Sequence, residues 1–200
     1  MESDQKTDRR VRRSQAALMR AAVELVTERG TTAIAVSDLA QAADVSRQLV
    51  YLQFGDRDTL LLEAALDLVR RELVTHTPVP ADITDPDRHL AAAKHFARYR
   101  TFYRAMVTSP CGYALTLALS DLLAPASRLI VDRMTAGTAS PELAEDLTRF
   151  VVGGWAAFFN TWLVESPDPL DAEAFTARLM RMVPALTGAD ALSIPPEETP

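Results

Sequence analysis

The sequence predicts an all-α protein of about nine helices, and three observations support this fold class. Apolar residues recur at helical spacing in most segments, as at Leu18, Ala22 and Leu25. Glycine or proline punctuates these segments, since Gly30 follows the first and Pro141 opens a later one. Two short segments before residue 60 show helical spacing of apolar residues and are joined by a tight turn, which is the pattern of two packed helices.

The N-terminal segment is polar and basic. We expect residues 1–8 to be mobile, and arginines follow at positions 9, 10, 12 and 13. Beside a DNA-reading unit, such an arm can lie on phosphates or reach into a minor groove. A solvated tail would have the same composition, so both interpretations stay open. The first helix then runs to Gly30, which supplies a left-handed C-terminal cap.

Residues 31–60 predict a helix-turn-helix. Leu39 lies on the buried face of the first short helix, which Asp44 ends. Ser46 can cap the second helix by accepting from free backbone N–H groups. Val50 and Phe54, one turn apart, direct that second helix to the same core.

The opposite face of the second helix is mixed in chemistry. Arginine and glutamine can hydrogen-bond base edges, leucine can contact a thymine methyl group, and tyrosine can reach a phosphate. A solvated helix with two stray leucines is the alternative, because exposed apolar residues are common. The candidate DNA-binding residues are Ser46, Arg47, Gln48, Leu49, Tyr51, Gln53 and Arg57.

Five short motifs occur in order within residues 11–65: ERG at 28–30, VSDLA at 36–40, VSR at 45–47, YLQF at 51–54 and RDTL at 57–60. Their spacing resembles the tetracycline-repressor (TetR) family of bacterial transcription regulators. The resemblance implies a homodimer that enters the major groove of a double-stranded DNA operator. It also implies a C-terminal domain that binds a small-molecule effector.

Three residues depart from that family pattern. Ala35 stands where a capping serine or threonine is frequent, Leu49 where a small residue is common, and Gln53 where histidine is frequent. The last two changes bear on which bases are read. Operator specificity is therefore not implied by the resemblance.

The helix after the helix-turn-helix should connect two domains. Asp56 can cap it, and it should run to about Val74 with Leu60 and Leu61 on its inner side. Arg57 and the free N–H groups of its first turn could hold a phosphate, and a tilt of this helix would move the DNA-reading unit. We expect a DNA-binding domain with its arm over residues 1–55, a ligand-binding and dimerisation domain over 56–187, and a disordered tail over 188–200.

The C-terminal domain should contain five further helices after a proline-containing surface loop at 75–85. The first of these begins at Pro86 and has Leu90, Phe96 and Ala97 on its apolar side, and the predicted spans of the others are 101–107, 112–134, 141–165 and 171–186. Pro125 should kink the third of these, and Leu115 and Leu123 should both face inward.

An aromatic cluster with a few hydroxyl groups predicts a site for a bulky, largely apolar ligand. Ordinary core packing is the alternative for any single member. The candidates are Phe96, Tyr99, Phe102, Tyr103, Met106, Tyr113, Trp155 and Phe159. His95, Arg98, Arg100 and Arg104 could add a polar anchor.

Residues 150–159 are apolar on nearly every side of the predicted helix, so one domain core cannot cover all of it. A partner subunit is the simplest cover, and Gly153-Gly154 would allow close helix approach. The resemblance implies that the last two helices form a four-helix bundle with their symmetry mates. The candidate dimerisation residues are Val151, Phe158, Trp162, Phe175, Leu179 and Met182.

Composition narrows the functional class. Residues 1–60 carry nine basic and nine acidic side chains, whereas residues 61–200 carry twelve and eighteen, so the net charge of -6 lies away from the motif. The single Cys111, the absence of a secretory signal and the lack of a membrane-length apolar run predict a cytoplasmic protein without membrane partners.

The histidines lack metal-ligand spacing, and no phosphate-binding glycine loop or nucleophile motif is present. We therefore expect no cofactor, no metal and no enzymatic activity. The alternative is an all-helical small-molecule carrier or enzyme with a vestigial helix-turn-helix. Salt-dependent retention on DNA would separate the two, since only a regulator predicts it.

Overall fold

The structure is a computed structural model that describes the backbone of residues 2–74 and 85–187, and the side chains of residues 9–74, 85–125 and 127–184. Within these residues the fold is all-α, as predicted. The helices are α1 (Glu2–Arg29), α2 (Val36–Ala42), α3 (Arg47–Phe54), α4 (Arg57–Val69), α5 (Pro86–Arg98), α6 (Arg100–Val107), α7 (Gly112–Met134), α8 (Pro141–Glu165) and α9 (Ala172–Thr187), with a π-helical turn at Arg70–Val74 after α4.

Packing groups the described residues into two units. Unit 1 contains residues 2–74 and 99–119, and unit 2 contains residues 85–98 and 120–187. Unit 1 thus includes α4 and α6 with the first three helices. The predicted boundary at residue 55 instead separates DNA-reading residues from the rest, and it stays a prediction.

Unit 1 is built around α1, which packs against α2, α4 and α6, while α3 packs against α2 and α4. Most of the apolar positions predicted to face inward on these helices are buried, whereas Leu25 and Phe54 are half-buried. They include Leu18 and Val26 of α1, Leu39 of α2, Val50 of α3, and Leu60 and Leu61 of α4. This core holds the two short helices of the helix-turn-helix against the longer ones.

Unit 2 is built from α5, the C-terminal part of α7, α8 and α9. α5 packs against α9, where Lys94 forms an exposed ion pair with Glu173 at 3.0 Å. A second apolar cluster joins α7, α8 and α9 through Ile130, Val131, Ala144, Val151 and Val183. An aromatic cluster completes the unit, in which the Phe175 ring stacks on the rings of Phe158 and Trp162.

Several predicted boundaries and faces were wrong. α1 begins at Glu2, so residues 2–8 lie within this helix and not in a segment before it. α4 ends at Val69, and the next five residues form a π-helical turn in place of a continuous α-helix to Val74. Leu123 is 45% exposed, although Leu115 is buried as predicted. The predicted loop at 75–84 and the predicted tail at 188–200 lie outside the described residues.

Pro125 lies inside α7, where its missing N–H and its ring interrupt the helical hydrogen-bond pattern. The helix axis bends by 58° there, which agrees with the predicted kink. Among the described residues, no single helix has the length and apolar character to cross a membrane, although the two arms of this bent helix pass that test together.

Candidate nucleic-acid interface

The turn between α2 and α3 is set by local hydrogen bonds. Asp44 adopts a positive φ of 53°, and the Val45 N–H donates to the Ala40 carbonyl at 2.9 Å, which ends α2. The Ser46 hydroxyl then accepts from the Leu49 N–H at 3.2 Å and caps α3 as predicted. This geometry defines the direction in which α3 leaves the turn.

The start of α2 has no side-chain cap, because Ala35 occupies the N-cap position. An exposed ion pair links α2 to the end of α1, with the Arg29 guanidinium 2.6 Å from the Asp38 carboxylate. The hydrogen bond from Arg29 lowers the pKa of Asp38. The pair adds to the packing of Leu39 and Ala40, which are the buried residues of α2.

α3 buries Val50 and presents a broad outer face. Arg47 and Gln48 are exposed, Leu49 is half-buried, and Tyr51 is 54% exposed. Leu52 is 80% exposed and lies on the same helix, although it was left out of the predicted DNA-binding set. The helical spacing of Leu52 relative to Val50 already predicted that this leucine faces outward. The outer face combines a cation, an amide, a hydroxyl and an exposed leucine, and it can contact both bases and phosphates.

Gln53 does not belong to that outer face. Its side chain is half-buried, and its Nε2 donates to the Ser14 hydroxyl of α1 at 2.8 Å. The prediction treated Gln53 as flanking the outer face, because helical spacing does not show that α1 passes within hydrogen-bond distance. Gln53 is thus part of the contact between α3 and α1.

The first turn of α4 is less open to a phosphate than predicted. The Asp56 carboxylate accepts from the Thr59 N–H at 2.7 Å, and this backbone hydrogen bond lowers the pKa of Asp56. Arg57 donates to Asp58 at 2.7 Å, and this hydrogen bond raises the pKa of Arg57. Two carboxylates in this turn would repel a phosphate, so a contact by Arg57 requires the Asp58 pair to open.

The basic residues at 9, 10, 12 and 13 lie in the N-terminal part of α1 and are exposed. These arginines therefore lie on the surface of α1 and not on a flexible arm. Ser14, the next residue, is the one that accepts from Gln53 of α3. The basic segment is thus directly continuous with the contact between α1 and α3.

The predicted ligand-binding residues are divided between the two units. Phe102, Tyr103 and Met106 are fully buried in unit 1, where burial raises the pKa of Tyr103. Tyr99, also in unit 1, donates to the Glu72 carboxylate at 2.7 Å. Tyr113 is 77% exposed, contrary to its predicted inward position, because it lies on the outer side of the first turn of α7.

The remaining ligand candidates lie in unit 2 and are half-buried. Phe96 packs against Phe159 with ring centroids 5.3 Å apart. Trp155 stacks on His89 at 6.3 Å. Of the possible polar anchors, His95 in unit 2 and Arg100 in unit 1 are buried, whereas Arg98 and Arg104 are exposed.

Four of the predicted dimerisation residues are buried inside unit 2. These are Val151, Trp162, Phe175 and Leu179. Phe158 is half-buried between the Phe175 ring and the Arg178 guanidinium, and Met182 is 38% exposed. Four of the six selected residues are thus covered by the subunit's own core, and the dimerisation role of these helices stays a prediction.

Sequence reasoning missed an exposed stripe on α8. Its members are spaced by four and three residues along one side of the helix, next to the buried face. Leu143, Phe150, Gly154, Ala157 and Thr161 are exposed, whereas Leu147 is half-buried against the apolar cluster of α7, α8 and α9. Phe150 is 77% exposed, and a Cβ at Gly154 would meet nothing within 4 Å. We call this set the α8 stripe.

The capped turn and the exposed outer face of α3 form a helix-turn-helix, the unit that one class of DNA-binding proteins inserts into the major groove. Comparison with known proteins narrows the class. Residues 18–64 match the profile of the bacterial regulatory proteins of the tetR family. The N-terminal part of this chain is thus similar to the TetR family of bacterial regulatory proteins.

Two relatives from Mycobacterium tuberculosis illustrate the similarity. The HTH-type transcriptional repressor Rv3405c is 38% identical over 78 residues, which cover 37% of this chain and 41% of that protein. The HTH-type transcriptional regulator AlkX is 28% identical over 174 residues, which cover 87% of this chain and 72% of that protein. The matched region thus spans about two fifths of the length of the first relative.

The alignment with one solved structure covers most of both chains. The TetR family repressor AlkX from a Dietzia strain, described as implicated in the biodegradation of n-alkanes, shares 21% identity with this chain. The TM-score is 0.47, and the alignment covers 87% of this chain and 95% of that chain.

Proposed function

We propose that this protein is a cytoplasmic transcriptional repressor that binds a pseudo-palindromic operator as a dimer and is released by a small, largely apolar effector. The observation that carries the proposal is the outer face of α3. Ser46 caps this helix, Val50 anchors it, and Arg47 and Gln48 are exposed beside it. One such helix spans only a few base pairs, so two copies spaced by the duplex repeat are needed for a specific operator.

The α8 stripe supports a second copy of this chain as the dimer partner. Its exposed Leu143 and Phe150 leave apolar surface in water, which association would remove. Gly154 and Ala157 are small and exposed, so a neighbouring helix can approach closely there. In a two-fold dimer the same stripe faces itself, and Met182 of α9 provides further exposed apolar surface.

The half-buried aromatic residues of unit 2 are the best remaining candidates for an effector site. Phe96, Trp155 and Phe159 offer apolar ring surface that their own packing does not fully cover. Phe102, Tyr103 and Met106 are fully packed and serve the core of unit 1. An effector of this site would be bulky and weakly polar.

Release from DNA would require α4 to move, since it packs against both α1 and α3. The Tyr99 hydrogen bond to Glu72 ties the π-helical turn after α4 to the start of α6. The binding of effector and the binding of operator must affect each other equally. Operator DNA should therefore weaken effector binding by the same factor by which the effector weakens operator binding. Couplings of about 1 to 3 kcal/mol would change affinity roughly 5- to 150-fold.

Selection of binding sites from a random duplex library tests the DNA-binding proposal. A two-fold symmetric consensus is expected, with affinity that falls steeply as salt increases. Gln48→Ala should relax discrimination at one half-site position by about 1 to 3 kcal/mol if its base contact is bidentate. A consensus without two-fold symmetry, or binding insensitive to salt, would contradict the proposal.

A thermal-shift screen of apolar metabolites and drugs tests the effector proposal. Hits should raise the unfolding temperature of the wild type, and Trp155→Ala should reduce that rise. Each hit is then titrated into the operator complex. Hits that stabilise the protein and leave operator affinity unchanged would show that the site is not coupled to α3.

A further inference from the structure

Gln53 lies on α3, but its side chain connects α3 to another helix. Its Nε2 donates to the Ser14 hydroxyl at 2.8 Å, and that hydroxyl donates to the Val11 carbonyl at 2.9 Å. The Ser14 proton is used toward Val11, so Ser14 acts as an acceptor from Gln53, which orients the amide with its N–H toward α1. Two successive hydrogen bonds thus join α3 to the backbone of α1.

The other end of the Gln53 amide has no such support. Its Oε1 is buried and lacks a hydrogen-bond partner among the described residues. A buried amide oxygen without a partner disfavours the folded state, and an apolar side chain such as leucine would avoid that cost. What the amide adds, and leucine cannot, is the directional bond to Ser14.

α3 is a short helix with a small apolar contact surface. It has eight residues, of which Val50 is fully buried and Leu49 and Phe54 are half-buried. Residues three apart on a helix lie on neighbouring sides, so Gln53 adds a hydrogen-bonded attachment beside the Val50 contact. Because a hydrogen bond is directional, this attachment restricts the rotation of the helix about its axis more than apolar contact does.

We propose that Gln53 is a positioning residue, which holds α3 at the rotation that directs Arg47 and Gln48 outward, and that it does not contact bases. The proposal rests on the DNA-binding function proposed above. It reverses the role predicted for Gln53 from helical spacing. It also makes Ser14, which lies outside the helix-turn-helix, a determinant of operator affinity.

Matched variants on the two glutamines of α3 test the proposal. Gln53→Leu and Ser14→Ala should each weaken binding to the operator and to all its single-base variants by the same factor, about three- to ten-fold for one hydrogen bond. Gln48→Leu makes the same chemical change at the exposed glutamine and should alter the preferred base at one half-site position. The Ser14→Ala, Gln53→Leu double variant should bind as each single variant does, because both remove one link.

Hydrogen exchange of the α3 amides in DNA-free protein supplies a readout that does not depend on DNA. Exchange should be faster in Gln53→Leu and in Ser14→Ala than in wild type, and unchanged in Gln48→Leu. A changed base preference in Gln53→Leu, fully additive losses in the double variant, or normal α3 exchange in Ser14→Ala would each overturn the proposal. Failure of the wild type to bind DNA would instead overturn the proposed function, and the exchange comparison would still decide whether Gln53 positions α3.

Discussion

Replacing Phe150 by alanine should weaken the dimer without unfolding the subunit. The Phe150 side chain is 77% exposed in the single chain, on the α8 stripe. Complete burial of a phenylalanine side chain is worth about 1.5 to 3 kcal/mol. A two-fold interface contains the residue twice, so the total is about 3 to 6 kcal/mol, and the dimer dissociation constant should rise by roughly 10²- to 10⁴-fold.

Sedimentation equilibrium over a range of protein concentrations would measure this change. Phe175→Ala is the matched control, since Phe175 is 2% exposed and its ring stacks on Trp162 at 4.1 Å. That control should lower the free energy of unfolding by about 3 to 5 kcal/mol, because it opens a cavity in the core of unit 2. The reasoning is refuted if Phe150→Ala dimerises as tightly as wild type, or if it destabilises the subunit as much as Phe175→Ala does.

Three further predictions concern single positions. Ser46→Ala removes the cap of α3 and should cost about 1 kcal/mol of stability together with a loss of operator affinity, measured by thermal unfolding and by DNA titration. Gly112→Ala should lower the free energy of unfolding by about 1 to 3 kcal/mol, since a Cβ there would lie 2.3 Å from the Val107 carbonyl oxygen. Gly153→Ala has open space around its Cβ and should raise the free energy of unfolding by up to about 1 kcal/mol, and urea unfolding measures both changes. The lowered pKa of Asp56 stabilises the fold above the ordinary aspartate value of 3.8, and this contribution is lost as pH falls through the lowered pKa. Asp56→Asn should therefore unfold at a lower temperature than wild type at pH 6, and equal unfolding temperatures there would contradict this.

Local sequence determined the positions of most helices. Ser46, Asp56 and Ser140 cap α3, α4 and α8 through bonds to backbone N–H groups three residues away, so these starts were predictable. The predicted span of 112–134 is the observed α7. Capping and periodicity depend on residues a few positions apart, so both can be recognised from the sequence even when the elements that pack against the helix are unknown.

Tertiary structure alone decided what covers each helix face. Gln53 and Ser14 are 39 residues apart, and nothing near either one shows that α1 and α3 approach within a hydrogen bond. On α8, which is apolar on several sides, the periodicity did not distinguish Phe150 in solvent from Val151 in the core. Helical spacing identifies which residues share a face, whereas their burial depends on elements brought together from distant parts of the chain.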